Sequence, residues 1–216
     1  MRIAVVTLAI GEEYTKSIEL GLKSKEMYCE AHCYENIVGG MSTGRPASWE
    51  KIPLVLAILH KFDWVFFTDG DTMIMNQSVK LEDLIAKYGK HDIIFTRGIQ
   101  PNLCNAGVFL VKNCSWSKNF LEAAYDTPNG CNEIITFGLW EQGMIAAMLI
   151  HNSFDCWQHV TVEQNRRAFN SVMDIFEDGD FLIHFIMENK SYPEVQAKME
   201  KYFPRILPYS MTSNPS

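Results

Sequence analysis

Trp64-Val65-Phe66-Phe67-Thr68 is a short, continuously apolar run. A half-buried strand alternates, with every second side chain in water. A continuous run is covered on both faces, as in a parallel sheet flanked by helices. The rest of the chain supplies the covering. Ile3–Leu8 is a similar run that feeds the loop Ala9-Ile10-Gly11. Residues 13–32 have helical spacing, with Ile18, Leu22 and Met27 on one side. A flexible stretch is expected at Gly39-Gly40 and Ser42-Thr43-Gly44. Residues 48–61 read as a helix that Pro53 either kinks or opens. Leu81–Tyr88 is a helix closed by Gly89. Strands follow at 92–96 and 106–112, then a helix over 116–125 that Ser115 can cap. A loop at 126–132 precedes a helix over about 139–150. Strands at 160–162 and 181–185 and a helix over about 193–203 complete the order. Strands alternating with helices make the fold class α/β. The expected organisation is one domain over 1–208, with a small, polar, linker-like tail at 209–216.

With 216 residues, folding buries about 70% of the surface the unfolded chain exposes, so one core can form without staples. The formal charge is −7, against the clustered Lys and Arg that a nucleic-acid backbone or a polybasic membrane anchor demands. No apolar run approaches the roughly 20 residues of a membrane span. The opening strand is too short for a signal-peptide core. The six cysteines are scattered and form no Cys-x-x-Cys pair, so reduced thiols and a soluble, cytoplasmic protein are expected. Nucleic acid is not expected as a partner, and oligomeric state is not legible.

Asp-Gly-Asp occurs twice, at 69–71 and 178–180. Most such triplets are solvated turns, and position separates these two. In open α/β sheets, ligands bind beyond the carboxyl ends of the strands. Asp69-Gly70-Asp71 leaves such an end. Asp178-Gly179-Asp180 enters a strand from the opposite edge and reads as a turn. His184 lies near the end of that later strand. If the strands run parallel, it returns to the edge that holds Asp69 and Asp71. Alone, His184 reads as a buried strand histidine with a satisfied hydrogen bond. Two carboxylates with an imidazole favour Mn²⁺ over Mg²⁺ or Ca²⁺ and leave coordination positions for a diphosphate. Glu141-Gln142, at the start of a helix, reads by itself as a solvated first turn.

Seven segments, taken in order, resemble the metal-dependent glycosyltransferase family of yeast α-1,2-galactosyl- and mannosyltransferases and plant xyloglucan xylosyltransferases. They begin with Lys25-Glu26-Met27-Tyr28-Cys29-Glu30-Ala31-His32-Cys33-Tyr34 and the helix start Trp49-Glu50-Lys51-Ile52-Pro53. The strongest is the strand 64–68 with Asp69-Gly70-Asp71-Thr72-Met73-Ile74-Met75-Asn76. Asn105-Ala106-Gly107-Val108, Glu141-Gln142, Phe169-Asn170-Ser171 and Gly179-Asp180-Phe181-Leu182-Ile183-His184 follow. The likeness extends to capsid-glycosylating domains of chlorella viruses.

The resemblance implies a GT-A fold: a Rossmann-like, mostly parallel mixed sheet flanked by helices. It also implies a nucleotide-sugar donor, a glycan or glycoprotein acceptor and retention of the anomeric configuration. Asp69, Asp71 and His184 would hold Mn²⁺, with Mg²⁺ as the alternative. Thr7, Leu8, Ala9 and Tyr14 would cradle the uracil and ribose of a UDP-sugar. Lys51 and Gly70 count with the donor-binding residues. Gln142 would lie under the reacting face of the sugar, with Glu141 gripping its hydroxyls. Where the family has glycine, cysteine and a phosphate-binding lysine, this chain has Ile186-Met187-Glu188-Asn189-Lys190. The glycine is missing, and Lys190, one residue further along, is the candidate for the phosphate-binding role.

Two other readings stay open here. A haloacid-dehalogenase-type phosphatase also places Asp-x-Asp after an apolar strand, but its threonine follows one residue later than Thr72 does. A non-catalytic module that binds a nucleotide sugar would keep the fold and lose the reaction.

Overall fold

The computed structural model describes residues 1–40, 43–99, 103–126, 140–186 and 191–210. Six strands form the main sheet, in the order β2 (Glu35–Gly39), β1 (Ile3–Leu8), β3 (Trp64–Thr68), β6 (Asn105–Lys112), β5 (Ile93–Thr96), β7 (Val160–Glu163). All run the same way except β6, which is antiparallel to both neighbours. β1 and β3 are buried at every position, as their continuous apolar runs require.

The reversed strand matters for the site. An antiparallel neighbour of β3 must start where β3 ends, and Thr68 pairs with Val108. Asn105-Ala106-Gly107 therefore lies beside Asp69, whose N–H donates to the Gly107 carbonyl at 2.6 Å.

Side chains alternate across the main sheet. Ala4, Val6, Val65, Phe67 and Phe109 face one side, against α3 (Lys51–Leu59), α5 (Ser115–Asp126) and α6 (Trp140–Ile150). Ile3, Val5, Phe66, Val108 and Leu110 face the other, against Tyr28 and the apolar stripe of α4 (Leu81–Tyr88).

A second sheet has three short strands, ordered β4 (Thr72–Ile74), β9 (Leu182–His184), β8 (Ser171–Val172). Its cluster of Ile18, Met73, Ile183, Phe185, Val195 and Met199 packs under α7 (Tyr192–Tyr202). This corrects the route by which His184 was expected to reach Asp71. His184 does not return on a parallel strand of the main sheet. It pairs across antiparallel β4, opposite Thr72. Asp69-Gly70-Asp71 is the bend through which the chain leaves one sheet and enters the other.

Several boundaries differ from expectation. The single helix over 13–32 is two, α1 (Glu12–Ser17) and α2 (Glu19–His32), hinged at Ile18. The buried face of α2 is Gly21, Ser24, Lys25, Tyr28 and Cys29, while Leu22 is only half-buried and Met27 is 38% exposed. The spacing is helical, but polar groups occupy it because they serve the bend beneath. Ser24 Oγ accepts from Ile74 N, and Lys25 Nζ donates to the Asp69 carbonyl at 2.9 Å. Gly21 is required there: a Cβ would lie 2.6 Å from the Thr72 carbonyl oxygen.

The helix expected over 48–61 is a 3-10 turn, Ala47–Glu50, followed by α3. Pro53 falls in its first turn, where a missing N–H costs no bond. Helix α5 begins at Ser115 itself, and the Cys114 sulfur, not the Ser115 hydroxyl, accepts from Ser117 N. Gly39, expected in a flexible stretch, ends strand β2. The second triplet is the expected turn, with Gly179 at φ +104°. Asp180 accepts from Arg167 and from the Ser171 hydroxyl, so its carboxylate is spent on structure.

The loop at 127–132 and residues 211–216 lie outside the described residues. Tyr209 packs edge-on against His32, and Ser210 hydrogen-bonds Ser78. Cys29, Cys33, Cys104, Cys114 and Cys156 are free thiols. Among the described residues, no helix is long and apolar enough to cross a membrane.

Candidate active site

The bend at 69–71 is held from four directions. Lys25 Nζ and Thr72 Oγ1 both donate to the Asp69 carbonyl, at 2.9 and 2.7 Å. The Asp71 carbonyl accepts from Phe185 N at 2.9 Å, which ties the bend to the end of β9. Gly70 lies under Tyr14 so closely that a Cβ would come within 2.5 Å of the phenol oxygen. The backbone is thus fixed, and the two carboxylates project from it.

Asp69 Oδ1 takes an ion pair from Lys51 Nζ at 2.9 Å. The same ammonium reaches Glu141 Oε1 at 2.8 Å and the Ala106 carbonyl at 3.3 Å. Lys51, in the first turn of α3, therefore links the bend to the start of α6. Burial disfavours its charge, but Asp69 and Glu141 outweigh that and hold its pKa above the ordinary lysine value. Burial pushes the carboxyls of Asp69 and Glu141 up despite the lysine between them. Glu141 Oε2 is buried with no protein partner among the described residues. Burial also lowers the Lys25 pKa to about 7.

Asp71 and His184 meet on the other side of the bend. His184 Nε2 lies 3.4 Å from Asp71 Oδ1, and both residues are buried. Burial opposes the Asp71 charge, but the imidazolium form of His184, with Lys25 and Lys51 nearby, overcomes it and holds the carboxyl below its usual range. Asp69, Asp71 and His184 each offer a donor atom, all within 4.8 Å of one another.

This set fits a divalent cation by two tests. Two hard oxygens and one imidazole are the donors that Mn²⁺ and its neighbours accept. The space is also kept clear: a Cβ on Gly107 would lie 2.5 Å from Asp69 Oδ2 and 2.7 Å from His184 Cε1. Gly107→Ala is therefore expected to push these two ligands apart and weaken Mn²⁺ binding roughly 10-fold or more, read by the free Mn²⁺ EPR signal. Unchanged affinity would contradict the placement of the ion.

The donors open into a cleft of about 480 Å³. Of the residues singled out in the sequence, Leu8, Tyr14, Lys51, Asp69, Asp71, Glu141, Gln142 and His184 line it. Gln142 Oε1 accepts from Ala106 N at 3.0 Å, which orients its amide. Thr7 does not reach the cleft: it is fully buried and its hydroxyl faces Thr68 at 3.2 Å. Ala9 uses its N–H on the Gly39 carbonyl and is not in the lining. Gly70 shapes the floor beneath Tyr14, and Lys190 lies outside the described residues.

Sequence reasoning assigned no role to Ile10, Ser48, Trp140, Ile186 and Tyr192, which also line the cleft. They carry no motif and come from separate loops and helix ends. Lys25 did leave a signal, as a lysine on the i, i+3, i+4, i+7 face of Gly21, Ser24 and Tyr28. A second cavity, about 320 Å³, shares Ile99, His184 and Ile186 with the first and is edged by Asp174, Ser191, Glu194 and Lys198.

Residues 2–102 match the sequence profile of the galactosyl transferase GMA12/MNN10 family. An uncharacterized alpha-1,2-galactosyltransferase of Schizosaccharomyces pombe is 27% identical over 182 residues, covering 65% of this chain and 46% of that protein. A probable xyloglucan 6-xylosyltransferase 5 of Arabidopsis thaliana is 27% identical over 129 residues, covering 53% of this chain and 26% of that protein. The chain spans between about a quarter and a half of the length of the curated relatives it matches. Among solved structures, a glycosyltransferase involved in the glycosylation of the major capsid of PBCV-1 superposes with a TM-score of 0.74. It covers 93% of this chain and 100% of its own at 14% identity. The chain resembles this family in sequence and has a glycosyltransferase fold. Neither the phosphatase nor the binding-only reading is favoured by these likenesses.

Proposed function

On the premise of that family likeness, we propose that the chain transfers a sugar from a UDP-sugar to a hydroxyl of a glycan or glycoprotein, with retention of anomeric configuration. The observation that carries the reading is the meeting of Asp69, Asp71 and His184 at a cleft that Glu141 and Gln142 also line. When bound, a divalent cation, Mn²⁺ by preference, supplies positive charge for the diphosphate to leave against.

The chain's own groups do the rest. Leu8 at the end of β1 and Tyr14 in α1 form the wall for the base and ribose. Lys51 holds Asp69 and Glu141 close together, and its charge opposes their protonation. The partnerless Glu141 Oε2 is a natural acceptor for a sugar hydroxyl. Gln142, its amide oriented by Ala106 N, steadies positive charge developing on the sugar ring. The second cavity is where the acceptor is proposed to lie, since it meets the donor cleft at His184 and Ile186. Lys190 remains the proposed phosphate partner. By analogy with the PBCV-1 structure, a capsid glycoprotein is the first acceptor to try.

The test is a thermal-shift screen of UDP-sugars with and without Mn²⁺. A ligand at 100 times its Kd adds about 2.7 kcal/mol, or roughly 5–10 °C in Tm for a chain of this size. The shift is expected with Mn²⁺ and to vanish with EDTA. Tight metal-free binding of a UDP-sugar would contradict the reading. The anomeric proton of the product, read by NMR, checks retention.

A further inference from the structure

Behind the proposed metal ligands lies a closed chain of hydrogen bonds. Gly107 N donates to Asn105 Oδ1 at 2.9 Å. Asn170 Nδ2 donates to the same oxygen at 3.0 Å and to Thr96 Oγ1 at 3.0 Å. Asn170 Oδ1 lies 3.1 Å from His184 Nδ1. Asn170 and Thr96 are 1% and 0% exposed, so solvent does not exchange for these partners.

Amide groups and imidazoles can each be turned over, so distances alone do not say which atom donates. One member of the chain cannot be turned over. A backbone N–H only donates, so the Asn105 atom facing Gly107 is its oxygen. That oxygen has no proton to give, so Asn170 must meet it with its NH₂, whose two hydrogens are then used on Asn105 and Thr96. The Asn170 carbonyl is thereby turned to His184 and can only accept. His184 must carry a proton on Nδ1, so on the neutral ring the Nε2 lone pair is aimed at Asp71 Oδ1, 3.4 Å away, and only the imidazolium form can donate to Asp71. Two electron-pair donors facing each other repel unless a proton or a metal ion lies between them, and the neutral ring leaves that place to a metal ion.

We infer that Asn170 is a positioning residue, oriented by the Gly107 N–H through Asn105, that holds the neutral His184 ring as the tautomer whose Nε2 is free to bind a metal. The inference rests on the metal-site reading above and adds what sets its third ligand. The partners come from three places in the fold: β5 gives Thr96, β6 gives Asn105 and Gly107, and Asn170 stands immediately before β8. The ring orientation is therefore registered against both sheets. Partners of this kind change metal affinity 10–100-fold when removed.

The test reads the proton directly. Long-range ¹H–¹⁵N NMR of the metal-free wild type, recorded on the neutral ring, is expected to show His184 protonated on Nδ1. Asn170→Leu is expected to lose that preference and bind Mn²⁺ about 10–100-fold more weakly by EPR. Asn105→Asp still offers an oxygen to Gly107 and Asn170, so it is expected to keep the wild-type tautomer. A wild-type ring protonated on Nε2 overturns the relay even if Mn²⁺ binds, and leaves the metal site standing. A wild type protonated on Nδ1 that binds no Mn²⁺ overturns the metal reading, and with it the ligand role given to Nε2. Asn170→Leu binding Mn²⁺ as tightly as wild type, or Asn105→Asp moving the proton to Nε2, overturns the positioning role.

Discussion

Lys51→Met is expected to cost about 3–5 kcal/mol of stability, the range for removing one partner of a buried ion pair. Methionine matches the length and apolar stem of lysine, so little packing is lost against the Phe67 ring, over which the ammonium lies at 5.3 Å. What is lost is the only cation within 3 Å of both Asp69 and Glu141 among the described residues. Glu141 cannot turn to bulk water, being 3% exposed, and Asp69 is tied at its backbone while its side chain keeps 27% exposure toward the cleft. The cheaper outcome is protonation, and it gives the loss a pH signature. Burial already raises both carboxyls above their unfolded values, and removing Lys51 raises them further. A raised folded pKa means that the folded state holds protons the unfolded state has released. Stability then falls as pH rises between the two values. The variant is expected to recover part of its loss between about pH 7 and about pH 5. Urea denaturation at the two pH values measures this. A loss under about 1 kcal/mol, with no recovery in acid, would show that the lysine does not hold the carboxylates.

Asp71→Ala is expected to abolish donor turnover with Mn²⁺, by a factor on the order of 10³ or more, while leaving the chain folded. Asp71 is the ligand that faces the imidazole, so its loss opens the proposed ion to one side and frees His184 from its charged partner. Circular dichroism should be unchanged, because the backbone contact with Phe185 uses the Asp71 carbonyl and survives the substitution. Donor consumption is read by UDP release. Equal consumption by wild type and variant would remove Asp71 from the site.

The sequence held different parts of this structure with different clarity. β1 and β3 were legible because a continuous apolar run has one comfortable environment. Strand β2 was not: its burial is partial, and its Gly39-Gly40 end resembles a loop in composition. β4 and β8 have three and two residues, too few for any period to register. The polar inner face of α2 misled for a related reason, because its buried residues serve hydrogen bonds, not apolar contact. At the site, the acidic triplet and His184 could be paired from strand ends alone, although the route that joins them was misread. Asn105 and Asn170 were visible as motif residues with no stated job. Their job lies in which atom faces which, and no spacing in a sequence records that.

The bend between the sheets has a consequence for how the protein matures. The proposed ligands are separated by 115 positions, from Asp69 to His184, and β9 must find β4 across that span before the imidazole stands opposite Asp71. Contacts of such high sequence separation form late, since a large loop must close before they repay it. A nascent chain would expose both aspartates well before the histidine is made. Such a chain holds only part of the donor set, and a divalent ion should bind it far more weakly than the finished protein. Metal capture would then report that the two sheets have found each other, and a chain stalled earlier would stay inert toward its donor.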